Sequence, residues 1–122
     1  MSCIFCKIIK KKAPAEIIYE NDNIIVINNI RPIMETHLLV IPKKHMESII
    51  HIKPEDKDLM GELILTAQKV AKDKKLKGYK LAINVGEEGG QEIDHVHLHL
   101  LSGKKYVIRN QKRRQRDISK SS

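Results

Sequence analysis

Residues 95–101 read HVHLHLL, so three of the chain's six histidines occupy every second position of a short apolar run. On a helix, each step of two residues turns the side chain by about 200°, so the three imidazoles could not converge on one small group. On a β-strand, alternate side chains share a face and lie about 6.5–7 Å apart. The run therefore predicts a strand with two different faces. Its front consists of His95, His97 and His99, and its back of Val96, Leu98 and Leu100.

The residues alone leave three interpretations of this histidine face open. A half-buried strand could carry histidine by accident, although lysine, threonine or glutamate would serve as well on a polar face. A metal could bind the run, but Asp94 is the one carboxylate nearby, and zinc sites usually take further ligands from other segments. A phosphate could contact neighbouring imidazoles at this spacing, and neutral imidazole is a good nucleophile near pH 7.

The rest of the chain predicts one long helix and four more strands. Residues 53–78 form the helix, with Pro54 in its first turn and Gly78 at its end. Its apolar side chains form one stripe that covers a sheet, namely Leu59, Met60, Leu63, Ile64, Ala67, Val70 and Ala71. These four strands are rich in Ile, Val and Leu and end at turn residues. They span 15–20, 23–29, 37–42 and 79–85, and the histidine run at 95–101 is the fifth strand.

Length and charge predict one domain with a basic tail. The 122 residues are enough for a single modest core. The formal charge of +8 is uneven, because eight of the 23 Lys/Arg residues and one of the 15 acids lie from Lys104 onward. We therefore predict a domain over residues 1–103 and a partly disordered tail over 104–122. The tail could make weak contacts with nucleic acid, and a nucleic-acid-associated protein is one possible function.

The N-terminal segment carries two cysteines, Cys3 and Cys6, in a C-x-x-C pattern. We expect a cytoplasmic protein without membrane contact, because no apolar run approaches the ~18 residues of a membrane span and no secretory signal is recognisable. In that compartment a structural disulfide is disfavoured, so the pair indicates metal or redox chemistry. No strand precedes the pair, which argues against a thioredoxin-type site. Two reduced cysteines without metal are the remaining alternative.

The histidine run matches the H-φ-H-φ-H-φ-φ signature of the histidine triad (HIT) family, where φ is an apolar residue. Three segments resemble the family's blocks in the right order: CIFCKII at 3–9, RPIMETHLLVIPKKH at 31–45 and NVGEEGGQEIDHVHLHLL at 84–101. The resemblance covers about residues 3–103 and is nearest to the branch that acts as nucleoside phosphoramidases. It implies an α+β, HIT-like fold with an antiparallel sheet of about five strands, one long helix and a short helix.

The resemblance also implies a function. The chain would be a homodimeric hydrolase that cleaves the bond at the α-phosphate of nucleoside phosphoramidates or related nucleotidyl substrates, with purines preferred and no organic cofactor. His97 would attack phosphorus and form a nucleotidyl-histidine intermediate. His99 would stabilise oxygen charge and help to protonate the leaving group, and His37 matches a fourth active-site histidine. The alternative is a non-catalytic nucleotide-binding or regulatory partner protein.

The family's binding residues transfer to this sequence with two departures, and a third lies at the end of the chain, where close relatives carry a Trp-containing segment beside the partner subunit's site and this chain has no Trp. The phosphate would contact Asn84, Gly90, Glu92 and His99. The base and ribose would contact Ile4, Phe5, Ile8, Ile27, Asn29, Ile30 and Leu39. The family usually has Asp at position 29, so we expect weaker ribose binding because Asn lacks the charge. It commonly has a small residue at position 92, where Glu would repel a phosphate unless it points away or pairs with a cationic leaving amine.

Some bacterial members of the family combine two cysteines, a mid-chain histidine and the first triad histidine in a zinc site. By that resemblance the ligands here are Cys3, Cys6, His45 and His95. A structural zinc with two sulfur and two nitrogen ligands would tether the N-terminal segment to the sheet, and it would leave His97 and His99 free. The sixth histidine, His51, has no assigned task and is expected at the surface or in a helix cap.

Overall fold

The structure, a computed structural model, describes residues 3–105 and is built on a five-stranded sheet whose neighbouring strands are all antiparallel. The spatial order of the strands is β1-β2-β3-β5-β4. They are β1 Ile17–Glu20, β2 Ile24–Asn28, β3 Met34–Pro42, β4 Lys80–Ala82 and β5 Leu98–Lys105. The helices are α1 Ile4–Ile9 and α2 Lys57–Asp73, and 3-10 turns lie at Ile49–His51, Pro54–Asp56 and Glu87–Gly89. The expected α+β fold is confirmed.

Most of the predicted basic tail, residues 106–122, lies outside the described residues. β5 runs to Lys105, two residues beyond the predicted end of the domain at residue 103. Within the described range, neither helix is long and apolar enough to cross a bilayer.

The two faces of the sheet carry two separate cores. On one face, α2 packs on alternate residues of the central strands, including Val26, Leu38 and Leu100. On the other face, α1 packs on the intervening residues, including Ile25, Ile27 and Leu39. β2 is therefore buried on both faces, which explains its continuous run of Ile and Val.

Helix α2 begins later than the sequence pattern predicted. Pro54 lies in a 3-10 turn, and the Asp56 carboxylate accepts the backbone N–H of Lys53 at 2.9 Å before the α-helix begins at Lys57. The buried side of the helix is formed by Leu63, Thr66, Ala67, Val70 and Ala71. Ile64 was wrongly placed in the buried stripe. It lies about 100° around the helix from Leu63 and is 55% exposed.

The hydrogen-bonded part of the histidine strand begins at Leu98, three residues later than predicted. β3 ends at Pro42, so the backbone N–H of Val96 bonds to the Met46 carbonyl at 2.8 Å rather than to a strand. The alternation of side chains nevertheless continues upstream. Val96 lies in the α2-side core with Leu98, while His95 and His97 contact Phe5 of α1. The α1 side of the sheet is therefore the histidine face.

Candidate active site and metal-binding cluster

His97 is held in one orientation by the backbone of His95. Its Nδ1 lies 2.7 Å from the His95 carbonyl oxygen, and the side chain is 7% exposed. A carbonyl oxygen can only accept, so Nδ1 must carry the proton and donate. The neutral ring then has its lone pair on Nε2. The peptide carbonyl two residues upstream is therefore the group that fixes the tautomer of this ring.

His95 is fixed in the opposite tautomer. Its Nε2 lies 2.8 Å from the carbonyl oxygen of Pro42 and donates to it, which leaves Nδ1 as the lone-pair nitrogen. The ring is completely buried, and burial lowers the pKa of His95. Nδ1 faces the N-terminal helix, where Cys3 Sγ lies at 3.4 Å. His95 and His97 therefore serve different tasks, although only one residue separates them.

His99 and His37 share a proton on the far side of His99 from His97. His99 Nδ1 and His37 Nε2 are 2.9 Å apart, a distance that requires one proton between two nitrogens. The rings of His97 and His99 have centroids 5.1 Å apart. Burial, together with repulsion from His97 and His37, lowers the pKa of His99 to about 4. His99 is therefore neutral at pH 7 in the free site, and it acts there as a hydrogen-bonding group rather than as a cation.

Asn29 and the turn that follows it surround His37 with donors. The Asn29 Oδ1 accepts the backbone N–H of Arg31 at 2.9 Å, so its NH₂ group faces His37 Nε2 at 3.0 Å. The backbone N–H of Ile33 donates to His37 Nδ1 at 3.2 Å. A neutral imidazole offers one lone-pair nitrogen, so the Ile33 N–H at Nδ1 opposes a second proton on the ring. Burial acts in the same direction and lowers the pKa of His37.

The four residues expected to bind zinc lie together. The ligand atoms of Cys3, Cys6, His45 and His95 are all within 4.8 Å of one another. His45 Nδ1 lies 3.2 Å from Cys6 Sγ and 3.0 Å from His95 Nδ1. In a tetrahedral zinc site, bond lengths of about 2.0–2.3 Å place neighbouring ligand atoms about 3.3–3.8 Å apart. The donor set and its spacing therefore fit a zinc ion. Its binding would change the distances between the ligand atoms by only a few tenths of an ångström.

Three of the four residues expected to contact phosphate lie in the loop before the histidine run, and the fourth, His99, lies on β5. The Asn84 Nδ2 donates to the Gly89 carbonyl at 2.9 Å. Gly90 has φ +81°, a left-handed conformation that favours glycine, at the end of the 3-10 turn. Glu92 is exposed, and its carboxylate does not share the burial of His97.

Gln91 was missed by the sequence analysis, yet its side chain makes three hydrogen bonds, whereas that of Asn84 makes one. Its Oε1 accepts the N–H of Gly86 at 2.9 Å, and its Nε2 donates to the carbonyls of Glu47 at 2.6 Å and Ile93 at 2.9 Å. One side chain thus ties the two ends of the loop to each other and to the segment after β3. The available signal was a lone amide between two glycines and an acid, which is too common to single out.

The residues expected to enclose a base fall into three groups. Phe5, Ile8, Ile27 and Leu39 lie in the α1-side core. Asn29 is half-buried beside His37, and Ile4 is 43% exposed on α1. Ile30 is 90% exposed and, like Ile4 and Asn29, does not belong to the core cluster that contains the other four. The structure therefore brings four of the seven together in one core and leaves Ile30 apart from them.

A cavity of about 410 Å³ borders the cysteine–histidine cluster through His45, and its other lining residues include Lys44, His51, Lys53 and Asp56. The Lys44 ammonium and the Asp56 carboxylate in its lining neutralise each other at 2.6 Å. The hydrogen bonds around His97 are the better guide to the reactive site, because they fix the protonation state of a specific atom.

Comparison with known proteins identifies the family. The family model described as "Scavenger mRNA decapping enzyme C-term binding" matches residues 2–115. The chain is 42% identical over 101 residues to Protein HitA of Neisseria gonorrhoeae, which covers 82% of this chain and 94% of that protein. A HIT family hydrolase from Legionella pneumophila Philadelphia 1 superposes with a TM-score of 0.83 at 41% identity, covering 88% of this chain and 98% of that one. The chain belongs to the histidine triad (HIT) family.

A second solved structure with this fold is described as zinc-bound. That histidine triad family protein, from Mycobacterium smegmatis, superposes with a TM-score of 0.74 at 29% identity, covering 100% of this chain and 99% of that one.

Proposed function

We propose that this HIT protein hydrolyses nucleoside phosphoramidates or related nucleotidyl substrates through a covalent intermediate on His97. The observation that carries the proposal is the 2.7 Å hydrogen bond from His97 Nδ1 to the His95 carbonyl, which leaves Nε2 as the lone-pair nitrogen. The hydrolase named among the similar structures supports the reaction class.

In the first step the Nε2 lone pair of His97 attacks the α-phosphorus, and the bond to the leaving group breaks. The ring becomes positively charged as the new N–P bond forms. The His95 carbonyl, still accepting the Nδ1 proton, stabilises that charge. In the second step water attacks the same phosphorus, the N–P bond breaks, and the nucleoside monophosphate leaves.

His99 is the group we assign to proton transfer. It is neutral in the free site, with a pKa of about 4. A bound phosphate carries negative charge and raises the pKa of a neighbouring imidazole. His99 can then hold a proton in the complex and pass it to a leaving amine. His37 keeps its hydrogen bond to His99 Nδ1 and so holds the ring in position.

We assign base binding to the edge of the α1-side core, where Phe5 and Ile8 are buried beside the partly exposed Ile4. An extended apolar edge of this kind favours the larger purine ring. We assign ribose binding to Asn29. We also propose that Cys3, Cys6, His45 and His95 hold a structural zinc, whose role is to fix α1 and His95 relative to the sheet.

The test is release of AMP from adenosine 5′-phosphoramidate. We expect turnover by the unaltered chain and a loss of at least about 10³-fold in His97→Ala, because the nucleophile is gone. His51→Ala is the matched control, since His51 is an exposed histidine that belongs neither to the triad nor to the proposed zinc ligands, and its rate should be unchanged. Tight nucleotide binding without turnover would instead favour the non-catalytic partner protein.

A further inference from the structure

Cys3 and Cys6 lie across the first turn of α1. Cys3 is the N-cap residue, and its Sγ accepts the backbone N–H of Cys6 at 3.4 Å. Both sulfur atoms belong to the cluster whose ligand atoms are within 4.8 Å of one another. Both cysteines are only half-buried, whereas His95 is completely buried. A small solute therefore reaches this cluster from its sulfur side.

The spacing of the two cysteines suits a disulfide as well as a metal. A disulfide needs Cβ atoms about 3.5–4.5 Å apart, and the two sulfur atoms already lie within 4.8 Å of each other. Cys3 is the extended N-cap residue of α1, so rotation of its backbone and of the two side chains can close the remaining distance without unwinding the helix. The same pair can thus hold a metal as two thiolates or close as one disulfide.

We propose that Cys3 and Cys6 form a redox switch, in which a peroxide closes them into a disulfide, expels the zinc and disables His97. In the metal-loaded chain, two thiolates give two electrons to one hydrogen peroxide molecule. The S–S bond forms, the O–O bond breaks, and two protons from solvent complete two water molecules. The zinc is left with two nitrogen ligands and dissociates.

Two contacts carry this change to the nucleophile. Phe5, between the two cysteines, packs edge-on against His95 and His97, with ring centroids 5.8 Å and 5.1 Å apart. The peptide of His95, itself a member of the cluster, supplies the carbonyl that orients His97. A changed first turn of α1 moves Phe5, and loss of the metal frees His95. The consequence for activity rests on the proposed function; the disulfide and the metal release do not.

The experiment treats the reduced, zinc-loaded full chain with one to a few equivalents of hydrogen peroxide. Intact mass reports the disulfide, a chromophoric chelator reports zinc, and AMP release from adenosine 5′-phosphoramidate reports activity. We expect a mass loss of about 2 Da, release of the bound zinc, and a rate that falls at least roughly tenfold. A thiol reductant with added zinc should restore the rate.

Cys6→His is the matched variant, because it offers a nitrogen ligand and removes the second thiol. Compared with its own zinc content and rate before treatment, it should lose neither to the same peroxide. Cys3→Ser should likewise form no intramolecular disulfide. Zinc retained by the unaltered chain, or a chain that holds none when reduced, would overturn the switch. So would disulfide formation with an unchanged rate. A reduced chain that never releases AMP would instead overturn the proposed function, while mass and zinc would still decide the switch.

Discussion

At the scale of single residues, the site depends on which ring nitrogens carry protons. His95 and His97 are two residues apart and are fixed in opposite tautomers by two different carbonyl oxygens. A pattern of alternating histidines predicts that they share a face, but it carries no information on those carbonyls. The tautomers depend on where β3 ends and on the path of the backbone at His95, which are properties of the folded chain.

The low pKa of His99 makes a prediction about stability. A histidine whose folded pKa of about 4 lies below the unfolded value near 6.5 favours the folded state when neutral. That stabilisation is complete above pH 6.5 and is lost as the pH falls toward 4. We expect zinc-loaded His99→Gln to lose less unfolding free energy between pH 7 and pH 5 than the unaltered chain, as measured by urea denaturation. Equal losses would contradict the low pKa.

Asn29 allows a test of ribose recognition. Asn29→Asp adds a carboxylate that can accept hydrogen bonds from both ribose hydroxyls, so the preference for ribo- over 2′-deoxyribonucleotide substrates should rise several-fold in kcat/KM. Asn28→Asp is the control, because it adds the same charge on β2, where strand alternation places it on the α2 side. If both variants leave the ratio unchanged, the ribose does not bind at Asn29.

At the scale of elements, the sequence predicted the number, order and type of the strands and helices, but not all of their ends. Pro54 and the Asp56 carboxylate convert the first predicted helical turn into a 3-10 turn. β5 loses its partner at Pro42, so His95 and His97 precede the hydrogen-bonded strand. Both shifts come from contacts between distant segments, which local periodicity does not report.

The loop before β5 depends on Gln91, whose side chain makes three hydrogen bonds. Gln91→Ala should lower the unfolding free energy by about 1–3 kcal/mol, because it leaves backbone groups unpaired, and it should lower kcat/KM by loosening the Gly90 region. Gln68→Ala, on the exposed side of α2, should change stability by less than about 0.5 kcal/mol. Denaturation and AMP release measure both effects. Equal changes in unfolding free energy and in kcat/KM for the two variants would show that the Gln91 hydrogen bonds do not hold the loop.

At the scale of the whole molecule, the sheet carries one long helix on one face and a short helix on the other. α2 buries enough apolar surface to pack without help, but α1 has only six residues, of which Phe5 and Ile8 are buried. The cluster of two cysteines and two histidines joins that short helix to the segment after β3 and to His95. The family resemblance pointed to this cluster, because spacing in one sequence cannot bring residues 3, 45 and 95 together. The homodimer and the nucleic-acid contact of the tail stay predictions.

Metal removal tests that role of the cluster. A zinc chelator should lower the thermal midpoint of the full chain by at least about 5 °C, because α1 loses its anchor to the sheet. The double variant Cys3→Ser, Cys6→Ser should already unfold at the lower temperature and should not respond to the chelator. Metal analysis of the reduced chain should find one zinc per chain. A chelator response that survives the double variant would place the metal elsewhere.

The most direct test of the central claim is to find the atom that carries the nucleotide during turnover. The chain is mixed with adenosine 5′-phosphoramidate, quenched within the first turnover at alkaline pH, and digested for peptide mass analysis. We predict one adenylyl group on the peptide that contains His97, on the Nε2 nitrogen, and none in His97→Ala. An adenylyl group on another residue, or full turnover by His97→Ala, would contradict the account.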